Sequence, residues 1–223
     1  MNALSLIHLH LALECKGIDA EHQLYRIPCA NPDTVHRVYA VRCEAGELLF
    51  FRRDTPQIIR ERLASLPFED FFARPDAVQQ VMAAHSPCME MHIGRSYIFP
   101  DALDAGQYPD AVRLSRVDPM LVHQYDPSLD LHQKEVFGII ADGRVVSTCE
   151  SARENDTAGE AWVRTLEPYR RKGYARQVTY AWGHFLQQQG KTPFYSHVRD
   201  NHASRALAVR LGLAQYIEDA GYA

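Results

Sequence analysis

Several features are missing from this chain of 223 residues, and each absence removes a class of protein. No Cys-x-x-Cys pair occurs: the five cysteines, Cys15, Cys29, Cys43, Cys88 and Cys149, are scattered and odd in number. With no basic n-region at the N-terminus to mark a signal peptide, that pattern favours reduced thiols in a cytoplasmic protein. No apolar run approaches the ~18 residues that span a bilayer, and the apolar N-terminus MNALSLIHLHLALE is interrupted by His8 and His10. There is no excess of positive charge either: the formal net charge is -4, which gives no support for non-specific binding of nucleic acid or of an anionic membrane. No internal repeat or low-complexity tract is present. What is there is ordinary for a soluble globular protein, 46% hydrophobic and 23% charged, long enough for one large domain or a domain with a smaller companion.

Residues 100–111, PDALDAGQYPDA, are rich in Pro, Asp, Gly and Ala and mark a boundary between two more regular halves. In the first half, 36–52 reads as a hairpin turning at Ala45-Gly46. Thr55-Pro56 reads as an N-cap followed by Pro at the first helical position, with Ile58, Ile59, Leu63 and Leu66 forming the helix face. A second helix is expected over 75–85 with Val78, Val81 and Met82 inward, then a strand over 88–99.

The second half is more regular. Val112, Leu114 and Val117 suggest a strand, and Asp118-Pro119 opens a short helix. Segments 135–141 and 144–151 form a hairpin about Asp142-Gly143, a pair favoured in type I′ turns. A strand over 160–166 includes the apolar run Ala161, Trp162, Val163. In the helix predicted over 173–189, Val178, Ala181, Trp182, Phe185 and Leu186 fall on one face, and Gly190 ends it. A strand over 194–198 precedes Asn201, the expected N-cap of a helix over 202–211 that Gly212 closes. The order β-α-β-β-β-α-β-α-β fits a mixed sheet with helices on its faces.

The most informative stretch is RTLEPYRRKGYA at 164–175, which leads from a strand into the amphipathic helix. In Arg170-x-x-Gly173-x-Ala175, Gly173 allows a tight turn and Ala175 keeps the loop slim. Arg170, Arg171 and Lys172 add positive charge beside a helix N-terminus whose N–H groups already attract anions. This suits a pyrophosphate.

Taken with FYSHVRDN at 194–201 and SRALAVRLGL at 204–213, the segment resembles the GNAT superfamily of acyl-CoA-dependent N-acyltransferases over roughly 111–223. GEAWVRTLEPYRRKG and FYSHV are most similar to the glycine N-acyltransferase branch, although Glu167-Pro168 departs from its usual Pro-Glu order. The resemblance implies an α/β (α+β) fold: a mixed, mostly antiparallel sheet flanked by helices over 111–223, with 1–110 as an N-terminal α+β extension. It implies acetyl-CoA or another acyl-CoA as co-substrate, with no metal. The backbone of Arg170, Arg171, Lys172, Gly173, Tyr174 and Ala175 would hold the pyrophosphate, Thr165 and Leu166 would pair with the pantetheine arm, and Asn201 and Ser204 would line that arm. The strands at 160–166 and 194–198 would splay apart around the thioester. The acceptor would be a primary amine on a small molecule or amino acid, neither nucleic acid nor membrane. Residues 1–110 would be a degenerate copy of the fold, shape the acceptor pocket or mediate a homodimer. The chain ends early for such a fold, so its last strand would be short, missing, or supplied by the N-terminal half or a second subunit.

The chemistry can be argued separately. An amine attacks a thioester only when neutral, and at pH 7 deprotonation costs roughly 4.6 kcal/mol for a Lys-like amine but about 1.1 for a peptide α-amine. A carboxylate reaching the amine through a water can take that proton. Glu160, at the start of the strand, matches the family's base position, with register uncertain by one residue because such strands can carry a bulge; Glu150 is the second choice. Many family members carry a Tyr seven residues after the Asn as general acid, where this chain has Ala208. Tyr195, Tyr216 or a water could replace it.

Other signals have ordinary readings. Arg205 and Arg210 suit a solvated helix face, Trp182 and Phe185 a core, and His197 a packed or hydrogen-bonded strand position. His8 and His10 share a strand face but fall on opposite sides of a helix. His123 and His132 flank a loop that could meet the acceptor. No cysteine has the context of a nucleophile, which favours direct transfer. A rival class is an acyl-CoA-sensing or partner-binding module that keeps the fold without catalysis, and Ala208 is the feature that favours it.

Overall fold

The computed structural model describes every residue except 14, 19–22, 27–35, 89, 104, 105, 107, 130, 132 and 133, with only the backbone described at 15–18 and 23–26. Cys29 and His132 therefore lie outside the described residues, as does the side chain of Cys15; Cys43, Cys88 and Cys149 are free thiols. In chain order the elements are α1 (Ala3–Leu11), β1 (Cys15–Ile18), β2 (Gln23–Arg26), β3 (Val38–Cys43), β4 (Gly46–Arg52), α2 (Gln57–Ala64), α3 (Asp70–Ala73), α4 (Pro75–Ala83) and β5 (Met91–Ile98). They continue with β6 (Val112–Arg113), α5 (Pro119–Tyr125), β7 (Phe137–Ala141), β8 (Arg144–Glu154), β9 (Ala158–Thr165), α6 (Tyr174–Gln188), β10 (Thr192–Val198), α7 (His202–Leu211) and β11 (Ala214–Tyr222). No helix among the described residues is long and apolar enough to cross a membrane.

These elements fall into two compact units. One comprises Met1–Ser96, Ser196–Asn201 and Gln215–Ala223; the other comprises Tyr97–Tyr195 and His202–Ala214. In the first unit the strand order is β1-β2-β4-β3-β11-β5. The apolar run Val38–Val41 is buried on both faces of β3: Val38 and Ala40 join Ile59, Leu63, Phe71 and Met82 of the helices, while Tyr39 and Val41 meet Ile7 and Leu11 of α1. Such two-sided burial is why this strand reads as continuous apolar residues rather than an alternation. The last strand is neither missing nor short: β11 spans nine residues and pairs antiparallel with β3.

Two local expectations are corrected here. Thr55 is not the cap of α2; Pro56 holds that position, and the Thr55 hydroxyl donates to the Arg37 carbonyl at 3.0 Å. Ile58 is 61% exposed, leaving Ile59 and Leu63 as the buried face. Capping lost to a tertiary hydrogen bond, because the buried hydroxyl needs a partner and the Arg37 carbonyl supplies it.

In the second unit the order is β10-β9-β8-β7-β6, antiparallel except for the parallel β10–β9 pair. The mixed, mostly antiparallel sheet flanked by helices is thus present. The β7–β8 hairpin turns at Asp142 (φ 49°) and Gly143 (φ 70°), the two left-handed residues of a type I′ turn. Val178, Ala181, Trp182 and Leu186 of α6 are buried on a core that includes Phe137, Ile139, Val146 and Cys149. The Trp182 indole N–H donates to Ser151 Oγ at 3.0 Å, so the largest buried side chain keeps its polar atom satisfied. Leu114 lies in a 3₁₀ turn rather than a strand, packed so closely over Gly138 that a Cβ there would come within 2.5 Å of it.

Candidate functional site

After β9 the chain turns through a short 3₁₀ segment, Glu167–Tyr169, into α6. Leu166 N–H donates to the Val146 carbonyl at 2.9 Å, and the buried Tyr169 hydroxyl donates to Asp142 at 2.8 Å, tying the base of the loop to the neighbouring hairpin. The crest is free to project. Arg171 (φ 61°) and Gly173 (φ 86°) both adopt left-handed backbone, and Arg170, Arg171, Lys172 and Gly173 are exposed. Arg170 Nε donates to the Thr165 carbonyl at 3.4 Å, and the Lys172 ammonium lies 5.0 Å from the Tyr169 ring centroid. Tyr174 and Ala175, half-buried, open α6. Helix geometry leaves the N–H groups of the first turn without intrahelical acceptors, and the helix dipole adds partial positive charge beside three cationic side chains. Such geometry and charge are compatible with an anion at this loop.

The preceding strand is patterned differently on its two faces. Ala161 and Val163 pack on the α6 core. Glu160, Trp162 and Arg164 point the other way, opposite Arg153, Glu150 and Thr148 of β8 respectively. The bulge lies on β8, between Ser151 and Arg153, so the alternation along β9 runs unbroken. Glu160 is buried, with Oε2 3.5 Å from Arg153 Nη1; Glu150 is 3.4 Å from Lys134 Nζ. Thr165, at the end of β9, exchanges a 2.8 Å hydroxyl hydrogen bond with Ser147, and Leu166 is half-buried beside it.

Parallel pairing of β9 with β10 is recorded at Ala158, Gly159 and Glu160 and goes no further, although β9 continues to Thr165. Backbone groups of 161–165 that face away from β8 therefore have no ladder from β10 within this unit. The register Phe194↔Glu160 puts Phe194 on the face of Glu160, so Tyr195 lies on the opposite face. Tyr195 is 3% exposed and donates to the Ser204 carbonyl at 3.4 Å; burial pushes its phenol up to about 12. The structure thus brings Tyr195 and Ser204 together and separates Tyr195 from Glu160 by the thickness of the sheet. Ala208 is wholly buried in the core of this unit.

Asn201 and Tyr216 belong to the other unit. There the Tyr216 hydroxyl is 2.5 Å from His10 Nδ1, and His197 Nδ1–H donates to the Val198 carbonyl at 2.8 Å, the hydrogen-bonded state expected for a strand histidine. His123 is exposed on α5. Among the described residues, no group of three His, Cys, Asp or Glu side chains is arranged to hold a metal ion.

Sequence and structure differ most at Trp162. In the residue string it belongs to an apolar strand, yet it is 60% exposed. The signal for this lies in the pattern: with Ala161 and Val163 inward, strict alternation places Trp162 outward with Glu160 and Arg164. Arg153 carries no such signal, since only the bulge on β8 sets it opposite Glu160.

Residues 116–222 match the family model of GNAT acetyltransferases. Among solved structures, the chain is similar to a tandem GNAT protein from the clavulanic acid biosynthesis pathway, at 13% identity and a TM-score of 0.48, covering 100% of this chain and 97% of that one. A GCN5-related N-acetyltransferase-like protein from Streptococcus suis 89/1591 is 18% identical with a TM-score of 0.49, covering 66% of this chain and 68% of that one. A GNAT-family acetyltransferase from Novosphingobium aromaticivorans DSM 12444 is 16% identical with a TM-score of 0.47, covering 61% and 67% respectively. No curated protein matches the chain significantly in sequence.

Proposed function

We propose that this protein moves an acetyl group from acetyl-CoA to a primary amine of a small molecule or amino acid, by direct transfer in a ternary complex. The observation that carries the reading is the loop Arg170–Gly173: two left-handed residues, exposed cations and a helix N-terminus in a segment that also falls within the GNAT acetyltransferase match. Within that family we place the chain nearest the glycine N-acyltransferase-like enzymes, on GEAWVRTLEPYRRKG and FYSHV.

In this reading, the N–H groups of Arg171 to Ala175 bind the pyrophosphate, and the side chains of Arg170, Arg171 and Lys172 supply long-range attraction. The backbone of Thr165 and Leu166 takes the amide-bearing pantetheine arm as an added strand, with Ser204 beside it. The amine nitrogen attacks the thioester carbonyl, the carbon–sulfur bond breaks, and the amine proton passes through a water to Glu160. CoA leaves as a thiolate, tolerable near neutrality for a thiol of pKa ~8.5, and takes its proton from solvent. Tyr195 is a poor proton donor in this role, because its hydroxyl is turned to Ser204 on the face away from Glu160.

That orientation, with Ala208 buried where many family members carry a Tyr, favours one rival reading: an acyl-CoA-binding module without catalysis. Thiol release from acetyl-CoA across a panel of amines separates the two. Turnover with any amine supports transfer; binding of acetyl-CoA with no product from the whole panel supports the module. Glu160→Gln is expected to lower kcat by roughly 10²–10⁴, and a wild-type rate in that variant removes Glu160 from the mechanism.

A further inference from the structure

Resting on the transfer reading, the surroundings of Glu160 say what kind of amine would suit the site. Glu160 points away from α6, so an amine that reaches it approaches over the face that also carries Trp162 and Glu150. Trp162 is the one aromatic among the exposed large hydrophobic side chains of the described residues. Glu150 stands directly across from it in the β8–β9 ladder, its side chain 16% exposed. Opposed side chains of an antiparallel pair lie within about 5 Å of each other at Cβ, close enough for one ligand group to touch both.

The next rung shows what such a couple does. Arg164 lies 3.2 Å from Asp126 Oδ2, with its guanidinium 5.3 Å from the Tyr125 ring centroid. Tyr125 is itself held by a 3.1 Å hydrogen bond to Thr148. A ring and a carboxylate on this face therefore already hold one cation. Glu150 and Trp162 form a second ring–carboxylate couple, and Glu150 has attracted the ammonium of Lys134 to 3.4 Å. Lys134 is a weak occupant: its side chain is 49% exposed, and exposed ion pairs of this kind add little. An incoming ammonium can take its place, gaining the carboxylate and the face of the indole together. Arg153 plays the corresponding part at Glu160, 3.5 Å away and 46% exposed.

We infer that the acceptor is a dicationic amine, one nitrogen reacting beside Glu160 while a second, protonated nitrogen sits between Glu150 and Trp162 in place of Lys134. Glu160 and Trp162 are two residues apart on one strand, about 7 Å at 3.3–3.4 Å per residue, a span that about four to five methylenes cover. Trp162 and Glu150 are then specificity residues and take no part in the bond-making step.

The test compares 1,4-diaminobutane, butylamine and glycine by calorimetric titration of the CoA-loaded full chain. The diamine is expected to bind about tenfold more tightly than butylamine, with glycine weaker than both. Trp162→Ala should erase that preference while butylamine binding stays unchanged, Glu150→Gln should erase it as well, and Lys134→Ala should strengthen diamine binding severalfold. In turnover, Trp162→Ala should raise KM for the diamine and leave kcat within about twofold. Butylamine or glycine binding as tightly as the diamine overturns the inference, as does a preference that survives both variants. Acetyl transfer to butylamine without any diamine preference sinks this inference alone. A diamine preference without thiol release from acetyl-CoA sinks the transfer reading and leaves the cation site standing.

Discussion

Replacing Gly173 by alanine tests the anion loop without introducing a clash. Gly173 has φ 86°, and a Cβ built there meets no atom within 4 Å, so the whole cost of the methyl group is backbone strain. Left-handed backbone costs an L-residue roughly 1–2 kcal/mol. Against this, Ala narrows the unfolded ensemble relative to Gly and returns about 0.4–1 kcal/mol. The net loss of stability is therefore about 1 kcal/mol, or a few degrees of Tm at this chain length. The larger signature lies in binding: if the variant relieves its strain by moving the loop, CoA must pull it back, which weakens binding by about 5- to 30-fold for 1–2 kcal/mol. Gly190, at the other end of α6, is the matched control, with φ 74° and again nothing within 4 Å of a built Cβ. Gly190→Ala should lose the same stability and none of the affinity. Urea unfolding and calorimetric titration of CoA on both variants decide the matter. Equal affinity losses in the two variants, or an unchanged Kd in Gly173→Ala, would falsify the assignment of this loop to the pyrophosphate.

Three further outcomes follow from the same geometry. Arg171→Ala combined with Lys172→Ala should weaken CoA binding and flatten its salt dependence, measured as Kd between about 50 and 200 mM salt, because exposed cations act through screened attraction; an unchanged salt slope would mean that these side chains face only water. Gly183→Ala should destabilise by about 1–3 kcal/mol, read as a fall in Tm, since its Cβ would sit 2.8 Å and 2.9 Å from two atoms of the Phe99 ring. Stability should fall on acidification from pH 6.5 toward pH 3, because burial beside His92 lowers the His36 imidazole to about 3, so the unfolded chain binds the proton first. The hydrogen bond from His92 at 2.7 Å holds Asp219 ionised below its usual range, and that contribution is also lost as pH falls. Urea midpoints at pH 7 and pH 4.5 check the sign, with a slope of at most about 1.4 kcal/mol per pH unit from His36, reduced by its partial exposure; His36→Gln should flatten it.

Short-range physics makes much of this chain legible from its residues alone. The hairpin at Asp142-Gly143 needs two left-handed residues, and the sequence puts a favourable pair there. The buried stripe of α6 repeats at helical spacing, and Gly173 and Gly190 bracket that helix at positive φ. Each of these is settled by residues within a few positions of one another, as is the cationic turn at 170–173. Even the outward turn of Trp162 follows from alternation once its neighbours are placed. What the residue string could not settle is which surface each element meets. Tyr195 is a candidate acid on chemistry alone, but its side of β10 depends on the three-residue ladder with β9, which turns it to the core. Ile58 and Ile59 are chemically alike, and only the packing of α2 buries one and exposes the other. The length of β11 and its place beside β3 depend on pairing with a strand about 180 residues earlier in the chain. Glu160 faces Arg153 because a bulge on the neighbouring strand shifts the register by one. Turn chemistry and periodicity are local and can be read along the chain, whereas face, partner and burial are set by contacts between distant segments, which only the fold brings together.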